Sequence, residues 1–214
     1  FHRVLADAPM AFGLPGCYRL RGTAITPEEW LSFLDSLAAT DVLRSRLDGI
    51  GRDSAPVLTF DDGYQEWIDI VAPSLRSRGL TATFFACHAF RAEAPRAHWV
   101  DEYYWLLDHA RKPLLRVQLD DRIAYETRID TRAGKREAVT GALKRRLIGA
   151  SPESAAALLD AVAEATGREA PPRLAKELYL SDSQWRNLAA EFDVGGHSMT
   201  HRTATTLSEA DLTD

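Results

Sequence analysis

Two short motifs set the terms for whatever this chain folds into: Thr59-Phe60-Asp61-Asp62-Gly63-Tyr64 and His197-Ser198-Met199-Thr200-His201. The first follows Val57-Leu58-Thr59-Phe60, an apolar run whose β-branched and aromatic residues predict a short buried strand ending where Asp61 begins. The second follows Phe192-Asp193-Val194, another predicted strand, which Gly195-Gly196 loosens. A fold that unites the two must bring distant strand ends together. In α/β architectures the C-terminal ends of strands form the active face.

Neighbouring strand residues point to opposite faces, so Asp61 and Asp62 converge on one site only if the backbone is already turning there. Gly63 permits that turn. One carboxylate is then able to ligate a cation while the other takes a proton from water bound to it. Histidines four residues apart share a face on a helix, but Gly195-Gly196 before and Thr203-Ala204-Thr205-Thr206 after favour a loop. Two imidazoles and one carboxylate make a three-ligand set, which leaves a position open for water or substrate, and neutral imidazole suits zinc. Each half has a plainer reading by itself: an Asx-turn or helix N-cap for Asp-Asp-Gly, and packing or surface for the histidines. Their shared place after predicted strands favours a metal site.

These motifs, together with Ala82-Thr83-Phe84-Phe85 after Gly79, resemble the polysaccharide deacetylases, carbohydrate esterase family four. The likeness extends to Phe1-His2-Arg3-Val4 at the start and to Leu180-Ser181-Asp182-Ser183-Gln184-Trp185 before the histidines, covering about residues 1 to 90 and 178 to 212. The resemblance implies a distorted (β/α) barrel and metal-dependent removal of acetyl groups from N-acetylated sugars by attack of a metal-bound water. It makes Asp61 the base, and Asp62, His197 and His201 the ligands of a divalent ion, with Zn2+ the first choice. A glycan is the implied partner, and a cell-envelope or extracytoplasmic setting is in keeping with it.

Two departures accompany the likeness. The family's later motifs, an Arg-x-Pro segment and a late histidine that acts as general acid, have no counterpart before Asp214, so the acid is unassigned. Ser208-Glu209-Ala210-Asp211 is a capping-box pattern that opens a new helix, and a barrel of this kind needs about 250 residues. The expectation is a catalytic domain over 1–214 that is partial at its C-terminus. The second departure is the long stretch between the motifs, read as an inserted α+β subdomain, mostly helical, over 92–178.

Within that stretch, Asp101 to Ala110 reads as helical, Leu115 to Asp130 as a hairpin around Asp120-Asp121, and Gly134 to Gly167 as two helices separated by Ser151-Pro152. Ala156, Leu159, Val162 and Ala163 recur at helical spacing and predict packing. Trp99, Tyr103, Tyr104 and Trp105 are candidates for stacking on sugar rings, with burial the equal alternative. Lys144-Arg145-Arg146 reads as a solvated helix face. Thr26-Pro27-Glu28-Glu29 is a capping box for the first helix.

Charge and composition exclude more than they select. A net charge of -5 over 214 residues argues against broad nucleic-acid binding. No run approaches the roughly 18 apolar residues of a membrane span. Cys17 and Cys87 are too few for a disulfide framework or a thiolate zinc site, and Cys87 reads as a buried strand residue. His2 and His88 lie near predicted strands, where core or supporting roles are expected. Three alternatives remain: hydrolysis of another non-peptide C-N bond, a catalytically degenerate carbohydrate-binding protein, and aspartyl phosphotransfer, which usually wants Asp-x-Asp. The oligomeric state is not fixed by the sequence.

Overall fold

Parallel strands dominate around the first motif. The structure, a computed structural model, describes residues 2–38, 57–119, 124–203, 205 and 207–209. Its strands are β1 (Arg3–Val4), β2 (Ala24–Ile25), β3 (Thr59–Asp62), β4 (Thr83–Ala86), β5 (Leu114–Gln118), β6 (Ala124–Arg128) and β7 (Asp193–Gly196). β1 pairs with β2 in parallel, β3, β4 and β7 form a parallel sheet in that order, and β5 pairs antiparallel with β6. This is a mixed α/β fold. Among the described residues the strands form three separate sheets and close no barrel.

The described chain divides into two compact units. The first comprises 1–6, 22–97 and 173–200. Its core is aromatic: Phe60 stacks on Phe84 with ring centroids 5.1 Å apart, Trp67 meets Phe84 at 5.2 Å, and Trp30 meets Phe60 edge-on at 5.5 Å. Phe60, Trp67, Phe84 and Trp30 are wholly buried, so the sheet's apolar face is removed from water around the first motif. The helix Pro27–Ala38 is opened by the capping box read from the sequence. Thr26 N–H donates to Glu29 Oε2 at 2.7 Å, and Glu29 N–H donates to Thr26 Oγ1 at 3.1 Å.

β3 begins and ends two residues later than the sequence predicts, and so carries both aspartates. β7 likewise runs through Gly195 and Gly196 instead of loosening there. The reason is packing: a Cβ on Gly195 would stand 2.8 Å from the Phe85 ring on β4, so glycine lets these strands approach.

The second unit comprises 7–21, 98–172 and 201–214. It contains the helix Trp99–Asp108, the β5–β6 hairpin, and the helices Arg132–Thr140, Ala142–Ile148 and Pro152–Thr166. Asp120-Asp121, around which the hairpin was expected to turn, lie outside the described residues, as do Ala210 and Asp211 of the expected last capping box. Ser151 caps the last helix by accepting from Ser154 N–H, with Pro152 in its first turn. The stretch before it is two helices where one was expected. Gly141 breaks the run with an extended backbone, and a Cβ there would collide with the Glu137 carbonyl oxygen at 2.6 Å.

Two surface expectations are corrected in this unit. Tyr103 and Tyr104 are buried in its apolar core, with Trp99 and Trp105 packed against it, so the two tyrosines offer no face to a sugar. Lys144 is no solvated cation. It is buried, with Nζ 4.5 Å from the Trp99 ring centroid and 4.4 Å from that of Tyr104. Helical geometry explains this, because Leu143, Lys144 and Leu147 share the face the helix turns inward, while Arg145 and Arg146 stay exposed.

Candidate functional site

The site is built at the C-terminal ends of β3, β4 and β7. Parallel register sets Asp62 beside Ala86 and Ala86 beside Gly196, so the last rung of the sheet carries an aspartate at one edge and leads into His197 at the other. His197 N–H donates to Ala86 carbonyl oxygen at 2.8 Å and continues that rung by one residue. The imidazole then reaches over the middle strand: its Nε2 lies 3.8 Å from Asp62 Oδ1.

Asp62 is buried, and its backbone has already left the strand conformation, with φ 94. Gly63 follows at φ 135. The turn therefore starts on the aspartate itself, a conformation that L residues seldom adopt and that persists only where the surroundings hold it. They do so here. Leu180 N–H donates to Gly63 carbonyl oxygen at 2.9 Å, Gln65 N–H donates to Leu178 carbonyl oxygen at 2.8 Å, and Tyr64 bridges to Tyr179. The helix Asp182–Ala189 starts beside this clamp, with Ser181 and Gln184 forming its capping box, and it brings Trp185 against Gly63.

Asp61 is half-buried where Asp62 is buried. Among the described residues its carboxylate takes no hydrogen bond or ion pair. Past β7, Ser198 adopts φ 66 and its carbonyl oxygen accepts from His88 N–H at 3.4 Å. Cys87 Sγ donates to Met199 carbonyl oxygen at 3.8 Å. The histidine motif is thus a loop tied to the residues that follow β4. Burial pushes the Cys87 thiol up, which makes it a poor nucleophile.

The first unit therefore brings Asp62 and His197 together, with Asp61 directly before Asp62 on β3. His201, at φ 54, is one residue beyond the end of that unit and falls with the second, where its ring meets that of His98 edge-on at 5.5 Å. His88 is exposed. His2, for which the sequence pointed to a core or supporting role, stands beside the site: its Nδ1 lies 3.4 Å from Asp62 Oδ2. Its signal was present in Phe1-His2-Arg3-Val4, a motif at the edge of a predicted strand.

Residues 49–110 match the model of the polysaccharide deacetylase family. That segment holds β3, β4 and Asp61-Asp62, and it supports the likeness read from the motifs. At the level of the family it supports a hydrolase of the deacetylase kind, acting on carbohydrate amides. No curated protein and no solved structure matched the chain. No helix among the described residues is long and apolar enough to cross a membrane.

Proposed function

We propose that this protein removes N-acetyl groups from a glycan with the help of one divalent ion, zinc being the first choice, held by Asp62, His197 and His201. The observation that carries the reading is the buried Asp62 carboxylate at a strand end with the His197 imidazole on Oδ1, inside a segment that matches the deacetylases. The donors fit such an ion: one buried carboxylate and two half-buried imidazoles leave coordination positions for water and substrate. A bound ion supplies Lewis acidity to a carbonyl oxygen and makes water more acidic.

Asp61 serves as general base. It follows directly before the ligand Asp62, is half-buried, and its oxygens are not engaged elsewhere among the described residues, so it is available to take a proton from the attacking water. Asp62 is different in kind. Its burial withholds it from solvent, and the turn at φ 94 aims it toward His197. Collapse of the tetrahedral adduct breaks the C-N bond, and the departing amine takes up a proton, which balances the one Asp61 removed from the water. We read the β3–β4–β7 sheet as part of a distorted (β/α) barrel, with 92–178 an insertion in a catalytic domain.

The test is metal content and acetate release by the natural protein containing residues 1–214. Wild type is expected to take up about one zinc or cobalt ion and to release acetate from an N-acetylated sugar oligomer, and His197→Ala to do neither. Equal metal uptake by wild type and His197→Ala overturns the ligand set. Metal uptake with no acetate release from acetylated oligosaccharides, but with hydrolysis of small amides, transfers the activity to another C-N bond.

A further inference from the structure

The start of the chain is gripped by the residues that immediately follow Asp62. Arg3 Nε donates to Glu66 Oε1 at 2.6 Å and Nη2 to Oε2 at 3.1 Å, a two-point pair with both side chains buried. The same guanidinium lies 3.9 Å from the centroid of the Tyr64 ring. One residue earlier, the His2 carbonyl oxygen accepts from Trp67 Nε1 at 3.3 Å. Parallel pairing of β1 with β2 fixes the other direction, with Leu5 N–H donating to Ile25 carbonyl oxygen at 2.9 Å.

These contacts over-determine His2. Its carbonyl is bound to Trp67, its neighbour Arg3 is locked to Glu66, and both partners belong to the segment that begins with Asp62. The backbone of His2 is therefore referenced to the backbone of Asp62, not to a separate part of the fold. What that referencing achieves is visible at the ring: Nδ1 stands 3.4 Å from Asp62 Oδ2 while His197 faces Oδ1. Carboxylate oxygens only accept, so in this contact Nδ1 is the donor.

We infer that His2 is a positioning residue for the metal-binding carboxylate: it holds Asp62 Oδ2 through an Nδ1–H donor, and the Arg3–Glu66 pair holds His2. The inference rests on Asp62 being a metal ligand. A carboxylate that ligates through one oxygen rotates freely about its terminal bond unless the other oxygen is held, and hydrogen bonds to ligating carboxylates are the usual device. The buried pair serves this purpose better than it serves stability, because burying two charges costs nearly as much as their attraction returns.

Substitutions at His2 test this without touching a ligand. Its side chain is 44% exposed, so the core does not depend on it. His2→Ala removes the donor, whereas His2→Asn places an amide N–H near the position of Nδ1. Zinc affinity, measured by competition with a chromophoric chelator, is expected to fall about 10- to 100-fold in His2→Ala and to recover most of that loss in His2→Asn. The visible spectrum of the cobalt-loaded His2→Asn protein is expected to match wild type, because the ligand set is unchanged. Wild-type affinity in His2→Ala overturns the inference, as does His2→Asn binding no better than His2→Ala. A cobalt spectrum altered in both variants makes His2 a ligand instead. Wild type that takes up no metal overturns the functional reading itself, and this inference with it.

Discussion

Gly63 lies so close to Trp185 that a Cβ on it would stand 2.8 Å from Cζ2 of the indole, and 3.1 Å from the Phe90 carbonyl oxygen. At φ 135 its backbone is also out of reach for most other residues. Gly63→Ala is therefore expected to cost about 2 kcal/mol or more, from backbone strain and overpacking together. Because Asp62 precedes it in the same turn, metal affinity should fall with stability. Urea denaturation and metal titration on the same variant check both, and a stable Gly63→Ala protein with unchanged affinity would show that the turn does not set the carboxylate.

The two aspartates are expected to fail differently. Asp61→Asn keeps the metal and loses on the order of 10²–10⁴ of the deacetylation rate, the usual contribution of a general base. Asp62→Asn loses metal affinity first and activity as a consequence. Metal content measured beside acetate release separates them. Equal metal loss in both variants would refute the division of labour that their different burial suggests.

The parts legible in the sequence were those with short-range causes. Thr26 and Glu29 announce their capping box because the contact spans three residues, and Ser181 and Gln184 do the same. The turn after Phe60 was readable from Asp-Asp-Gly, although the structure starts it at Asp62 rather than Gly63. Gly195 and Lys144 were misread because their roles come from partners far away in sequence. Glycine ordinarily weakens a strand, and only the Phe85 ring explains why it belongs in this one. Lys-Arg-Arg ordinarily faces water, and only the rings of Trp99 and Tyr104 explain why the lysine does not. For His2 a core or supporting role was readable, but not its partner Asp62, sixty residues away.

A buried ion pair ties the segment 7–21 into the second unit. Lys135 Nζ lies 2.8 Å from Asp108 Oδ1 and donates to Pro15 carbonyl oxygen at 3.0 Å, while Cys17 N–H donates to both Asp108 oxygens at 3.0 and 3.1 Å. Removing one partner strands the other charge in the core. Lys135→Met is expected to destabilise by about 3–5 kcal/mol, and adding Asp108→Asn to cost less than the two single losses combined. Additive losses in a double-mutant cycle by chemical denaturation would mean that the two side chains do not act as a unit.

Lys144 makes the stability of this protein depend on pH in a predictable direction. Burial holds its amine down to about 7, Arg21 pushes the same way, and Asp101 opposes them. Below about 7 the folded and unfolded chains both carry the proton, and the cost of burying the cation is fully present. As pH rises from about 7 toward 10.5, the ordinary value for a lysine, the folded protein sheds the proton while the unfolded chain keeps it, so that cost fades. The Trp99 and Tyr104 rings offset part of it. Lys144→Met, which keeps the length of the side chain and removes the charge, is expected to raise stability at pH 6 by on the order of a few kcal/mol, and by much less at pH 10. Denaturation of both proteins at pH 6, 8 and 10 checks the slope. A gain that is constant across this range, or a loss at pH 6, would place the lysine amine in water or make the ring contacts the dominant interaction.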